Sequence, residues 1–300
     1  KILDIDSKNP VTVLKLLFSI HQIIKQKGIT IVHTHHRMAA FYIRLLKFVY
    51  PKLTHVYTAH NVFKDKLPLY RFALKNAKSV AVGEAVNNNL KEDVGITDSK
   101  VIYNGVILKE TDNQVDDIIG YDGTKLGCIA RLSEQKGLTY LIEAMSLLTV
   151  KNIRLFIVGD GELRNELENK VEELHLQDSV TFLGYRKDIV ECINSFDFCI
   201  LPSVFEGFGL VAIEAFMNSK TLVATDIPGL NEVVTNENGI LVPAKDPVAL
   251  SVAIDKLATD ATLRQELASQ AKKDYENKFS YPLFLENYRA LYREIQGEPK

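Results

Sequence analysis

The chain has 300 residues, 46% of them hydrophobic and 25% charged, which suits about two domains of ordinary globular make-up. A formal net charge of −2 gives no global case for nucleic-acid binding, and no apolar run approaches the ~20 residues that span a bilayer. Three cysteines, Cys128, Cys192 and Cys199, lie inside apolar runs without metal-type spacing, which reads as reduced core thiols and a cytoplasmic compartment.

The chain opens at Lys1, not at Met, and enters an expected strand over 2–5, so residues ahead of Lys1 are expected to be missing. Asn9-Pro10 is a helix start, a capping side chain followed by Pro at the first helical position. Val13, Leu14, Leu17, Ile20 and Ile24 repeat at helical spacing until Gly28. Strands are expected over 29–33, 55–58, 79–82 and 101–103, with helices over 38–49 and 84–93. Apolar strand-like runs alternating with amphipathic helices imply parallel strands covered on both faces. Between Gly105 and Thr124 the composition shifts to Asp112, Asn113, Asp116, Asp117, Gly120 and Gly123, the best candidate for a linker. The rhythm then restarts, with strands expected over 125–130, 154–158, 180–183, 198–201, 221–224 and 239–242. Helices are expected over 247–257, 261–277 and 283–295. The fold class is α/β: two doubly wound, Rossmann-like parallel-sheet domains, with ligands at the carboxyl ends of the strands.

The stretch from Phe205 to Phe216 follows an apolar run and turns through Pro202-Ser203 and Gly207 into a helix-like segment. The first N–H groups of a helix lack intrahelical partners, so such a turn attracts anions. Glu206 and Glu214 bracket it. Carboxylates beside an anion site fit a sugar nucleotide, whose phosphates take N–H groups and whose hydroxyls need acceptors. Arg131 and Lys136 follow the strand at 125–130; as a forked donor and a point charge they suit a diphosphate, against the plainer reading of solvated surface charges.

Val158-Gly159-Asp160-Gly161-Glu162 begins like a dinucleotide fingerprint, but Arg164 replaces the third glycine. No NAD site is expected, and the glycines are read as a tight βα turn. His33, His35 and His36 have no cysteine or Glu-x-x-His companion, so they are read as loop or cleft histidines rather than zinc ligands. His60 follows a strand directly; it could donate to a sugar hydroxyl from the cleft, or be a satisfied structural histidine. The basic, aromatic segment 37–52 could touch anionic lipid or be a domain helix with a solvated basic face.

Taken together, Arg131 with Lys136, Phe182-Leu183-Gly184-Tyr185, Glu206-Gly207-Phe208-Gly209 with Glu214 in a Glu-x7-Glu pattern, Asn104-Gly105, His33-Thr34-His35 and His60 resemble the retaining glycosyltransferases of family 4. The resemblance implies the GT-B fold: an acceptor-side domain over 1–119, a nucleotide-sugar domain over 120–280 facing it across a cleft, and a helix over 281–300 returning to the first. It implies that Arg131 and Lys136 bind the donor diphosphate. Gly207, Phe208, Gly209 and Leu210 would offer backbone N–H groups, and Glu206 would lie against the transferred sugar. Glu214 would accept from the ribose hydroxyls. Gly184, Tyr185 and Arg186 would sit by the base, and His60 would reach the sugar, so Glu206 and His60 carry the catalytic assignment. Members of the family normally begin with a strand and a glycine-rich loop, which the resemblance implies would precede Lys1, and Gly83 stands where the family often has Ser.

The expected activity is transfer of a sugar from a nucleotide-sugar donor to a saccharide or lipid-linked acceptor in polysaccharide or glycoconjugate synthesis. It is placed in the cytoplasm or at the inner face of the membrane, without cofactor or nucleic-acid partner. No metal is expected either: no Asp-x-Asp stands at a strand end, and Asp4-Ile5-Asp6 opens the chain far from the donor groups. A sugar-nucleotide epimerase of the same fold and a non-catalytic nucleotide-sugar-binding subunit are the alternatives.

Overall fold

The computed structural model describes residues 10–107 and 111–297. The strand expected over 2–5, the Asn9 cap and Asp4-Ile5-Asp6 lie outside the described residues. The chain divides into two compact units, one running to Ile102 and resuming at Ala290, the other spanning Tyr103–Arg289.

In the first unit the order is α1 (Pro10–Lys27), β1 (Ile31–Thr34), α2 (Arg37–Leu46), β2 (Thr54–Ala59), α3 (Leu67–Leu74), β3 (Lys78–Ala81), α4 (Glu84–Asn88) and β4 (Ser99–Val101). The four strands are parallel and adjacent in chain order. Each βα unit therefore steps the same way, and both loops that leave β1 and β2 emerge at one end of the sheet. The helical spacing of α1 and α2 places Ile24, Ile43 and Leu46 together with Leu53 in one buried cluster. Each such side chain contributes about 1.5–3 kcal/mol on burial. The helix expected over 84–93 continues past α4 as a wider π turn, Asn89–Val94.

The second unit contains α5 (Asp116–Ile119), β5 (Thr124–Ile129), α6 (Leu138–Ser146), β6 (Ile153–Val158), α7 (Arg164–Glu173), β7 (Val180–Gly184), α8 (Ile189–Ser195), β8 (Phe198–Leu201), α9 (Leu210–Met217), β9 (Leu222–Thr225), β10 (Ile240–Val242), α10 (Pro247–Thr259) and α11 (Ala261–Asp274). Its six parallel strands run β10-β9-β8-β5-β6-β7. The short apolar runs read as strands are buried on both faces: Leu126, Leu155, Ile157, Phe198, Ile200 and Val223 share one core, and the alternate residues Phe156, Cys199, Leu201, Leu222 and Ala224 are buried on the other face. The strand order reverses between β5 and β8, which lie side by side. Such a switch point leaves a crevice at the carboxyl ends where ligands sit.

Described residues of the segment expected to be a linker are packed at three points. Val106 pairs with Ser280, the Val115 N–H donates to Ser195 Oγ at 2.8 Å, and Ile118 of α5 is fully buried. Its acidic and glycine-rich composition masks two apolar anchors, Val115 and Ile118. By contacts the chain divides at 102/103 and, inside α12 (Tyr281–Gln296), at 289/290, where the expected bounds are 119/120 and 280/281.

Candidate active site

The second unit places Arg131, Lys136, Glu206, Gly207, Phe208 and Gly209 on the two loops that flank the switch point, with Gly184, Tyr185 and Arg186 at the end of β7 and Glu214 on α9. After β5 the chain forms a 3-10 turn, Glu134–Lys136, and enters α6 at Gly137 with φ +65. A Cβ at Gly137 would stand 2.0 Å from the Pro202 carbonyl oxygen, so only glycine lets this turn lie against the loop after β8. The Val204 N–H donates to the Gln135 carbonyl at 2.8 Å, and Gln135 Nε2 donates to the Phe205 carbonyl at 3.0 Å. Thr225 Oγ1 donates to the Ser203 carbonyl from β9.

This lacing brings Lys136 and Glu206 into an ion pair, with 22% and 13% of their side-chain surface exposed. Ser203 Oγ donates to the same Glu206 oxygen at 3.4 Å. Arg131, the other expected diphosphate ligand, reaches Glu162 of the βα turn at 3.1 Å, where both side chains are more than half exposed. Each of the two cations therefore rests on a carboxylate that an incoming anion would have to displace.

Beyond Glu206 the chain turns through Gly207-Phe208-Gly209 into α9, whose first turn has no side-chain cap. Its leading N–H groups are thus unmatched by any capping side chain. The Phe208 ring is buried, stacked on Tyr103 at 5.5 Å and edge-on to Phe279 at 6.0 Å. It anchors the loop, and only its backbone is left to meet a ligand. Glu214 lies on α9 without an ion partner among the described residues, and burial pushes its carboxyl up to about 7. The carboxyl ends of β5, β6 and β7 are joined in a row: the Ala130 N–H donates to the Val158 carbonyl, and the Gly159 N–H to that of Gly184. Tyr185 is 73% exposed, whereas Arg186 is turned onto Asp188.

In the first unit His60 lies at the end of β2, half-buried, with Nε2 3.0 Å from His35 Nδ1. His33, expected in a solvated loop or cleft, is held at both ring nitrogens, by Tyr292 at 2.7 Å and Thr58 at 2.8 Å. Among the described residues no group of three or more His, Cys, Asp or Glu side chains is arranged to hold a metal ion. The basic segment at 37–52 is largely committed within the unit. Arg37 pairs with Asp65, Arg44 lies over the Phe48 and Phe72 rings, and the helix ends at Leu46. Phe48 and Val49 remain exposed, and no described helix is long and apolar enough to cross a membrane.

Burial also holds the His33 and His55 rings down to about 4, with Lys47 adding to the effect at His55 and the neighbouring His35 and His60 at His33. His55 is 1% exposed, and its Nδ1 has no hydrogen-bond partner among the described residues. The unfolded chain binds a proton that the folded state refuses. Stability is therefore fully present above the unfolded histidine pKa of about 6.5 and is lost as pH falls from there toward about 4. For His55 the limit is on the order of 3 kcal/mol. Thermal unfolding followed against pH should show this decline, and His55→Leu should make it shallower; a midpoint constant across that window would contradict the assignment.

Sequence comparison agrees with this architecture. The family model described as "Glycosyl transferases group 1" matches residues 113–274, and that described as "Glycosyltransferase Family 4" matches residues 4–110. An uncharacterized glycosyltransferase of Methanocaldococcus jannaschii, MJ1178, is 28% identical over 284 residues, covering 91% of this chain and 78% of the relative. A second from that organism, MJ1607, is 33% identical over 216 residues; the match covers 65% of this chain and only 55% of the relative's length. Among solved structures, Anabaena Alr3699/HepE in complex with UDP superposes with a TM-score of 0.83 at 23% identity, covering 94% of this chain and 82% of that one. That likeness is one of fold, GT-B.

Proposed function

Because the chain belongs to the glycosyl transferases group 1 family, we propose that it is a retaining glycosyltransferase. In this reading it moves a sugar from a nucleoside-diphosphate donor to a saccharide or lipid-linked acceptor. The observation that carries the reading is the Lys136–Glu206 pair at the switch point, beside the uncapped start of α9. It puts a cation for the diphosphate and a carboxylate for sugar hydroxyls within one contact. Arg131 completes the diphosphate site once it leaves Glu162. The backbone from Gly207 to Leu210 meets phosphate and sugar, Glu214 accepts from the ribose, and the 184–186 turn borders the base. The UDP held by the Anabaena structure makes uridine diphosphate sugars the first donors to test.

In the proposed reaction the acceptor oxygen bonds to the anomeric carbon on the face from which the diphosphate departs. The electron pair of the broken C–O bond leaves with the diphosphate, and a phosphate oxygen takes the acceptor proton. The protein's part is positioning and charge stabilisation. Arg131, Lys136 and the α9 N–H groups neutralise the leaving group without a divalent ion. Synthesis of a polysaccharide or glycoconjugate is the setting, in the cytoplasm, with peripheral contact to anionic lipid through Phe48 and Val49 beside Lys52. An epimerase would alter the donor sugar with no acceptor present, so product analysis of donor alone separates the two.

Glu214 tests the donor site. Glu214→Ala should weaken donor affinity about tenfold or more, the worth of a hydrogen bond to a charged group being roughly 1.5–3 kcal/mol. A 2′,3′-dideoxy donor should lose affinity against the native protein but little further against the variant. With the carboxyl held up to about 7 by burial, native affinity should also strengthen as pH rises through that value. An equal loss of affinity on removing the two hydroxyls, in native protein and variant alike, would place Glu214 away from the ribose.

A further inference from the structure

The histidines at the carboxyl ends of β1 and β2 form a connected row. His33 is fixed from both sides, its Nδ1 against the Tyr292 hydroxyl of α12 and its Nε2 against Thr58 Oγ1. The His35 ring lies 4.3 Å from the His33 ring, centroid to centroid, at an interplanar angle of 31°. His35 Nδ1 then stands 3.0 Å from His60 Nε2. Two imidazoles that meet nitrogen to nitrogen share one proton: one ring donates and the other accepts. Whichever ring donates, Nε2 of His60 is occupied, and Nδ1 is the nitrogen it has left for a ligand. The tautomer of His35 decides whether that nitrogen carries a proton.

We propose that His35 is a positioning residue for transfer: it engages Nε2 of His60, holds that ring in one tautomer and one orientation, and leaves Nδ1 to meet the sugar. His33 supports His35 from behind, and Tyr292 ties the row to the returning helix α12. The proposal rests on the reading that His60 contacts the sugar. A ring free to turn or to exchange tautomers would present the wrong group for part of the time. Misplacement of about 1 Å around a reacting centre can cost 10²-fold.

The test uses the full chain in three forms, native, His35→Leu and His35→Asn. The leucine removes the nitrogen partner; the asparagine keeps a polar group near the place of Nδ1. Long-range proton–nitrogen spectra of histidine-labelled protein read the His60 tautomer directly. Expected is a single His60 tautomer in the native and asparagine forms and averaged tautomers in the leucine form. Transfer should fall about tenfold or more in kcat for His35→Leu, with donor KM little changed, and His35→Asn should recover most of it. An unchanged His60 tautomer in His35→Leu overturns the proposal, and so does an altered tautomer with undiminished transfer. If the native protein transfers nothing, the transferase reading itself fails, while the spectra, which need no activity, still decide what His35 does.

Discussion

Lys136→Ala should lower sugar transfer by about a hundredfold to a thousandfold while leaving the protein folded. The side chain stands where the β5 and β8 loops meet, and its ammonium is paired with Glu206. A donor diphosphate brings more negative charge than one carboxylate and should take the cation over, releasing Glu206 to the sugar. In the transition state charge grows on the leaving phosphate, and removing one preorganised group aimed at such charge typically costs about 2.7–4 kcal/mol. Removing one partner of a buried pair can also destabilise, by about 3–5 kcal/mol when burial is complete. Here both groups keep some exposure, so the stability loss should be smaller, and thermal unfolding measures it separately. The native protein should keep full activity after exhaustive EDTA treatment. If EDTA abolishes transfer, Mn²⁺ restores it, and Lys136→Ala remains nearly as active as the native chain, the diphosphate site is elsewhere.

Much of the second unit was legible because its signals are local. Apolar runs such as 198–201, too short for a helix, fit strands buried on both faces, and the helix expected over 247–257 is α10, whose start the structure shows capped by Asp246, its side chain accepting from Ala249 N–H. The carboxyl-end location of Arg131, Lys136 and Glu206 followed from the same alternation. What was not legible depends on contacts between distant positions. No spacing announces that Lys136 rests on Glu206 or Arg131 on Glu162, since the first pair is 70 residues apart and the second 31. Phe208 read as part of a ligand loop, yet Tyr103 and Phe279, more than 70 residues away on either side, turn its ring inward. The segment expected to be a linker is a similar case: composition weighs all residues equally, while the structure buries its Val106, Val115 and Ile118. In the first unit the histidines read as a cluster, but their order, Tyr292 to His33 to His35 to His60, requires the return of α12.

Gly137→Ala should be among the most damaging single methyl additions in the second unit, and Gly184→Ala supplies its control. The two glycines have nearly the same φ, +65 and +68. A left-handed conformation costs a non-glycine residue roughly 1–2 kcal/mol, and that cost is common to both variants. The surroundings differ. The added carbon at Gly184 has nothing within 4 Å, whereas at Gly137 it falls 2.0 Å from the Pro202 carbonyl oxygen. Backbone cannot yield as a side-chain tip can, so the β5 loop must move off the β8 loop. That movement strains the Val204–Gln135 and Gln135–Phe205 bonds and parts Lys136 from Glu206. Forcing extra volume into a tight contact costs about 1–3 kcal/mol more. Gly137→Ala should therefore unfold at a distinctly lower temperature than Gly184→Ala and lose donor affinity by tenfold or more, with the lacing of the two loops as the cause. Equal unfolding temperatures for the two variants would mean that the approach of Gly137 to Pro202 does not hold the site together.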